Sequence, residues 1–264
     1  MAGGRLTLTG RAEMLSRQEA QSFDRVADGY DRLGDLGNHE LIASWLEGLL
    51  PAAGGRALDL GCGAGRHAVL LAGRFGQVDA VDLSGPMIDL AKRRRSRPNV
   101  SYRQADLHDV AGAGRYDFIV SVLALHHVPD LHAALGHIKT LAAPGGRVVV
   151  VDVYETGAAL RSPVSVLRRI VERMVPLRPR LHAMGVLRLG ANLFRRGPVT
   201  AWEIYRLSTR REWLDHIVTD RFFSREELER VCQDLLPGYR FDILGGPRGI
   251  GLVWDAPLAA PGGQ

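Results

Sequence analysis

A doubly wound α/β fold, with a mostly parallel sheet and helices on both faces, is what this sequence predicts. Three observations predict it. Short apolar runs alternate with helical patterns from Ala57 to Val153, the order that builds parallel βαβ units. The run Arg147–Val153 is almost unbroken valine, which suits a central strand buried on both sides. The first strand ends in a glycine-rich turn, Gly61-Cys-Gly-Ala-Gly65, where the backbone can approach a ligand outside the strand ends.

The elements follow in order. The first 20 residues read as polar, irregular and mobile. Leu41, Ile42, Trp45, Leu49 and Leu50 fall at helical spacing and predict a helix over 38–50, broken by Pro51 and the Gly54–Gly55 pair. Strands are expected at Ala57–Leu60, Val78–Val81, Val100–Arg103, Phe118–Leu123 and Arg147–Val153. Helices are expected at Arg66–Ala72, Pro86–Arg93 and Asp130–Leu141. From about 155 to 215 helical patterns replace strands. Ser224–Leu235 reads as a helix, with Ser224 and Glu227 as a capping box. Tyr239–Leu244 and Ile250–Trp254 read as two closing strands, antiparallel because no helix separates them. The tail 256–264 reads as disordered.

A chain of 264 residues has room for one domain, or one domain with an appended subdomain, and for a core that needs no disulfide or metal staple. Hydrophobic residues at 46% and charged residues at 24% exclude disorder, collagen and coiled coil as whole-chain readings. No apolar stretch of about 18 residues is present to span a membrane. The polar start MAGGRLTLTGRAEM lacks a signal-peptide core, so a cytoplasmic location is expected. Cys62 and Cys232 stand alone, without metal-site spacing. Lys92 and Lys139 are the only lysines, a composition that suits a GC-rich bacterial genome. Residues 161–211 hold 12 arginines and 2 glutamates, a local charge of +10 on a chain whose net charge is +5. A basic segment is therefore joined to an acidic body.

The chemistry concentrates at the strand ends. The first strand delivers Asp59 to the turn of Gly61, Gly63 and Gly65. The second ends in Asp82, 21 positions after Gly61, where an acid can hydrogen-bond the two hydroxyls of a ribose. The third is followed by Asp106. Three acids after three strands, with a glycine turn at the first, describe an adenosine site. A dinucleotide fingerprint requires glycine where Arg66 stands, and no Gly-Lys-Ser/Thr follows for a phosphate loop. Asp59 would repel a diphosphate and suits a cationic ligand with an amino group. The combination points to S-adenosylmethionine.

The chain resembles the class I S-adenosylmethionine-dependent methyltransferases, and more narrowly the small-molecule group that includes the ubiquinone/menaquinone-biosynthesis enzymes. The resemblance is carried by LDLGCGAGRHA at 58–68, AVDLSGPMIDLAK at 80–92, ADLHDV at 105–110, YDFIVSVLALHHVPDL at 116–131, LAAPGGRVVVVDV at 141–153 and, more weakly, FDRVADGYD at 23–31. It implies a Rossmann-like seven-stranded sheet whose last strand is antiparallel, with a helical cap inserted after the fifth strand. It implies an N-terminal arm and lid over 1–36, a cofactor-binding core over 37–154, a basic cap over 155–215, and the end of the core over 216–264. Asp59 and the Gly61–Gly65 turn would hold the methionine part. Asp82 would bind the ribose, Leu83 and Met87 would pack on the adenine, and Asp106 would accept from the adenine amino group with Leu107 beside it. The Leu123 backbone would line the methionine side, and Tyr30 would cover the cofactor.

The acceptor is less defined. After the fourth strand stands Ser121-Val-Leu-Ala, not the Asn/Asp-Pro-Pro-aromatic motif of base and glutamine N-methylation. Neither cysteine follows a proline, as pyrimidine C5 methylation requires. Metal-assisted catechol chemistry needs acids after the fourth and fifth strands, and only Asp152 is available, so no metal is expected. His126 and His127 are the candidate general bases. His216, Tyr154 and Tyr205 are alternatives, while His67 and His108 read as surface or cofactor-edge residues. The 155–215 segment should cap the acceptor pocket, with Trp202, Tyr205 and Trp213 lining it. Its arginines suit an acidic acceptor or one at a membrane surface, so peripheral membrane contact joins the expectations. Nucleic acid is disfavoured because no aromatic residues interleave the arginines. Two function classes remain: an enzyme methylating a secondary metabolite or a quinone- or phenol-like molecule, and a cofactor-binding partner or regulatory protein without transferase activity. Methylation of RNA is a third reading.

Overall fold

The computed structural model of the protein describes residues 8–36, 39–112, 114–155, 186, 189–190, 192–217, 222–244 and 249–259. Its strands are β1 (Gly54–Leu60), β2 (Phe75–Asp82), β3 (Val100–Gln104), β4 (Tyr116–Val122), β5 (Ala142–Glu155), β6 (Phe223–Ser224), β7 (Arg240–Ile243) and β8 (Gly249–Asp255). They lie in the order β3-β2-β1-β4-β5-β8-β7, with the two-residue β6 paired to the end of β5. β1 runs parallel to β2 and β4, β2 to β3, and β4 to β5. β8 is antiparallel to both β5 and β7. The seven-stranded path with an antiparallel last strand is the one the sequence predicts. The order reverses between β1 and β4, which opens a crevice at their carboxyl ends.

The helices are α1 (Leu8–Leu36), α2 (His39–Glu47), α3 (Arg66–Ala72), α4 (Gly85–Arg95), α5 (Leu131–Leu141), α6 (Pro198–Ser208), α7 (Arg211–Ile217) and α8 (Arg225–Leu235). Single turns of 3₁₀ helix follow β3 at Leu107–Asp109 and β4 at Leu125–His127. Two cores flank the sheet. Val148 and Val150 of β5 face a core built with Leu131, Leu135 and Ile138 of α5 and Leu228 and Cys232 of α8. Val149 and Val151 face the opposite core, built with Leu46 of α2, Ala68 and Leu71 of α3 and Ile88 of α4. Alternate residues of one strand thus feed both layers, which is why its sequence is apolar without interruption. Ser84 and Ser224 cap α4 and α8, each accepting from the backbone amide three residues on.

Several expectations are corrected. Residues 8–20, read as irregular, begin α1. The stretch Arg11-Ala-Glu-Met-Leu-Ser-Arg-Gln-Glu-Ala is made almost wholly of good helix formers, and residues 1–7 lie outside the described residues. Gly54 and Gly55 open β1 rather than breaking the chain. A Cβ on Gly54 would sit 2.2 Å from the Phe75 ring, so glycine admits the close pairing of β1 with β2. The tail reads differently as well. Ala256 bonds the backbone of Gly145 and Gly146 and packs on the core, so the pairing at the edge of β8 continues through Ala256, and residues 260–264 lie outside the described residues. The turn 245–248 and residues 156–185, most of the segment expected to cap the pocket, lie outside the described residues. Residues 192–196, α6 and α7 are helical.

Candidate active site

At the end of β1 the backbone turns through three left-handed glycines. Gly61, Gly63 and Gly65 have φ of 69°, 50° and 82°, conformations that side-chain-bearing residues adopt only with strain. A Cβ on Gly61 would meet Ala124 at 2.4 Å and one on Gly65 would meet the Tyr102 hydroxyl at 2.5 Å, whereas one on Gly63 would point into open space. The turn therefore presents bare backbone to a cleft at Gly63.

Two acids face that turn. Asp59 is fully buried, and neither carboxylate oxygen has a hydrogen-bond partner. Burial first, and then the charge of Asp82, push its pKa up to about 8. Only the Ala68 amide eases the charge, without reaching bonding geometry. Asp82 accepts from the Gly63 amide at 2.8 Å through one oxygen and from the Ser84 amide at 2.9 Å through the other. Burial raises its pKa against those two amides. Each oxygen keeps a lone pair for a further donor. Asp106, after β3, accepts from the His108 amide at 2.9 Å and caps the turn that holds Leu107.

The end of β4 is strained. Leu123 has φ of 54°, the one positive value outside glycine among the described residues, and its amide bonds the Val151 carbonyl. Such an outlier persists only where its surroundings hold it. It throws the following turn over the crevice. In that turn His126 is buried, and Asp152 of β5 holds it twice, accepting from its amide at 3.1 Å and lying 2.6 Å from Nδ1. A carboxylate only accepts, so Nδ1 carries the hydrogen and Nε2 is the basic atom. The His127 ring lies against it, with centroids 3.9 Å apart.

A roof of rings comes from α1 and α7. Phe23 packs on His127 at 4.8 Å and on His216 at 4.4 Å. Tyr30 meets Phe23 and Trp213, each at 5.7 Å, and His216 stacks toward His127 at 5.7 Å. Met87 is buried under this roof with Ala27, Ala64 and Leu90. α1 is fastened by ions. Asp31 is only 3% exposed and takes three arginines: Arg66 of α3 at 2.9 Å, and Arg94 and Arg95 of α4 at 2.7 and 2.8 Å. Asp35, one turn on, takes Arg66 at 2.6 Å. Ser84 donates to Asp24 at 2.6 Å.

The structure thus gathers Asp59, the glycine turn, Asp82, Leu123, His126 and His127 at one crevice, with Tyr30 and Met87 in the roof beside it. Leu83 and the Asp106–Leu107 pair continue the rim along β2 and β3. His216 belongs to the roof. Tyr154 is instead a core residue, buried between β5 and α8. His67, expected at the surface or the cofactor edge, is buried on α3, while His108 is exposed. Trp202, expected to line the pocket, is 58% exposed on the outer side of α6. Sequence reasoning did not find the Asp152 partnership or the arginine clamp on Asp31. The run Lys92-Arg-Arg-Arg95 opposite acids spaced along α1 was the available signal.

A family profile described as a methyltransferase domain matches residues 35–235. An uncharacterised methyltransferase of Mycobacterium bovis is 36% identical over 108 residues, covering 40% of this chain and 54% of that protein. The 2-phytyl-1,4-naphthoquinone methyltransferase of Nostoc is 32% identical over 147 residues, covering 50% of this chain and 63% of that protein. Among solved structures, the DhpI–SAH complex superposes with a TM-score of 0.60 at 21% identity, covering 93% of this chain and 98% of that one. The first of these relatives is matched over about half its length. The structural likeness speaks for the fold.

Proposed function

Because the chain belongs to the methyltransferase-domain family, we propose that it takes a methyl group from S-adenosylmethionine to a small phenol- or quinol-like acceptor. The observation that carries the reading is Asp59, a buried carboxylate with no bonded donor beside three left-handed glycines. An ammonium group draws off its proton and satisfies both oxygens, whereas a diphosphate brings no cation to that orphan. Asp82 would take the ribose hydroxyls on its spare lone pairs. The Gly61–Gly65 backbone and Leu123 would flank the methionine part. Leu83, Met87, Asp106 and Leu107 would border the adenine, and Tyr30 would close over it. When bound, S-adenosylmethionine supplies an electrophilic methyl on a sulfonium leaving group.

The remaining work falls to the chain. Alignment of acceptor and donor under the α1–α7 roof removes water and lost motion from the barrier. His126 Nε2, oriented by Asp152, takes the acceptor proton as its oxygen becomes nucleophilic. Phe23, Tyr30 and Trp213 offer ring faces to a planar acceptor. The Nostoc relative is named for a naphthoquinone, which supports this acceptor class. α6 and α7 serve as the described part of the cap.

Turnover is the test. With reduced quinones and simple phenols as acceptors, S-adenosylhomocysteine (SAH) should accumulate. His126→Gln should slow this about 10²–10⁴-fold while leaving SAH affinity unchanged. Asp152→Asn should shift the pH profile of the remaining rate. SAH binding without turnover across the acceptor panel would favour a cofactor-binding partner instead.

A further inference from the structure

The outer face of α6 and the helical turn before it expose more apolar surface than a folded chain usually leaves in water. Phe194 is 96% exposed, Val199 80%, Trp202 58% and Leu193 43%. Scattered single residues of this kind are ordinary, but these four fall within ten positions and include two aromatics. The opposite side of α6 is where the helix meets the body. Ala201 and Leu207 are buried there, Leu207 lies 4.0 Å from the Cβ position of Gly29 in α1, and Glu203 holds Arg32 of α1 at 2.7 Å. The exposed stripe is therefore surplus to packing.

Charge identifies what would cover it. Arg195 and Arg206 are exposed on the same stretch. On the helix, Val199, Trp202 and Arg206 recur at intervals of three and four, so apolar and cationic groups share one side. α6 carries one acid, Glu203, and it is committed to Arg32. A second copy of this face would bring the same arginines and repel. A surface of phosphates over hydrocarbon satisfies both features. Guanidinium groups bind phosphate oxygens, and tryptophan and phenylalanine settle at the boundary below them.

We propose that the outer face of α6, with Leu193 and Phe194 ahead of it, docks the protein on a membrane carrying anionic phospholipids. The inference stands apart from the methyl-transfer reading, since none of these residues touches the crevice. Cosedimentation of the full chain with phosphatidylglycerol-rich vesicles tests it. Wild type should bind these vesicles, bind pure phosphatidylcholine far less, and release in high salt. The Phe194→Ser/Trp202→Ser double variant should weaken binding about tenfold or more. Arg195→Gln/Arg206→Gln should abolish the preference for anionic lipid. SAH affinity and circular dichroism, unchanged in both variants, would show that the fold is intact. Three results would overturn the proposal: no vesicle binding by wild type, equal binding by the variants, or a wild-type dimer in sedimentation that Phe194→Ser dissociates.

Discussion

With both carboxylate oxygens buried and unbonded, Asp59 keeps its proton up to about pH 8 in the free protein. In the unfolded chain it would lose that proton near pH 4. A raised folded pKa means that this residue's support for the fold is full below about pH 4 and is lost as the pH climbs toward 8. An ammonium group beside it reverses the preference. SAH binding below pH 8 should therefore release about one proton and tighten as the pH rises from 6 to 8. Calorimetry in two buffers of different ionisation enthalpy measures that proton. Asp59→Asn should abolish the release, and a wild-type heat independent of buffer would remove Asp59 from the site. Asp59, Asp82 and the glycines were legible because one strand–turn motif holds their meaning within a few residues. The partnership of His126 with Asp152 was not, because 26 positions separate them and no local pattern marks the pair.

α1 shows what a charge cluster does for an element. Phe23, Ala27, Asp31 and Asp35 recur every four residues, so the face that roofs the crevice also carries the clamp. Removing the carboxylate of Asp31 leaves Arg66, Arg94 and Arg95 crowded without their shared counter-charge. Asp31→Ala should cost about 3 kcal/mol, partly recovered as the exposed ends of the arginines turn to water. The loss should concentrate in α1. Hydrogen exchange there should accelerate while the central strands keep their protection, and SAH should dissociate faster. Unchanged protection in α1 would show that apolar contacts alone hold the roof. The sequence placed the central elements within a few residues because periodicity governs them. It missed the start of α1, where helix propensity rather than an apolar stripe makes the helix. It stopped short of Ala142 in β5, where Pro144 and two glycines disguise a strand; β5 shifts register against β4 there.

On the scale of the whole molecule, the doubly wound sheet sets Asp59, Asp82 and Asp106, at the ends of three parallel strands, on one rim, and the topology reverses there between β1 and β4. α1 and α7 roof that rim and α6 packs against α1, with the rings of α7 turned to the crevice and the outer stripe of α6 turned to solvent. The sequence foresaw the rim but not the division of the aromatics: Trp213 faces inward and Trp202 outward. Both sit in amphipathic patterns, and only tertiary packing decides which side each pattern buries. That rim is the proposed site for S-adenosylmethionine and its product. Titration calorimetry of SAH into the wild-type chain and into Asp82→Ala tests it most directly. The expected result is one site per chain, with affinity falling about a hundredfold when the carboxylate proposed to hold the ribose is removed. No binding to the wild type, or equal affinity in the two proteins, would contradict it.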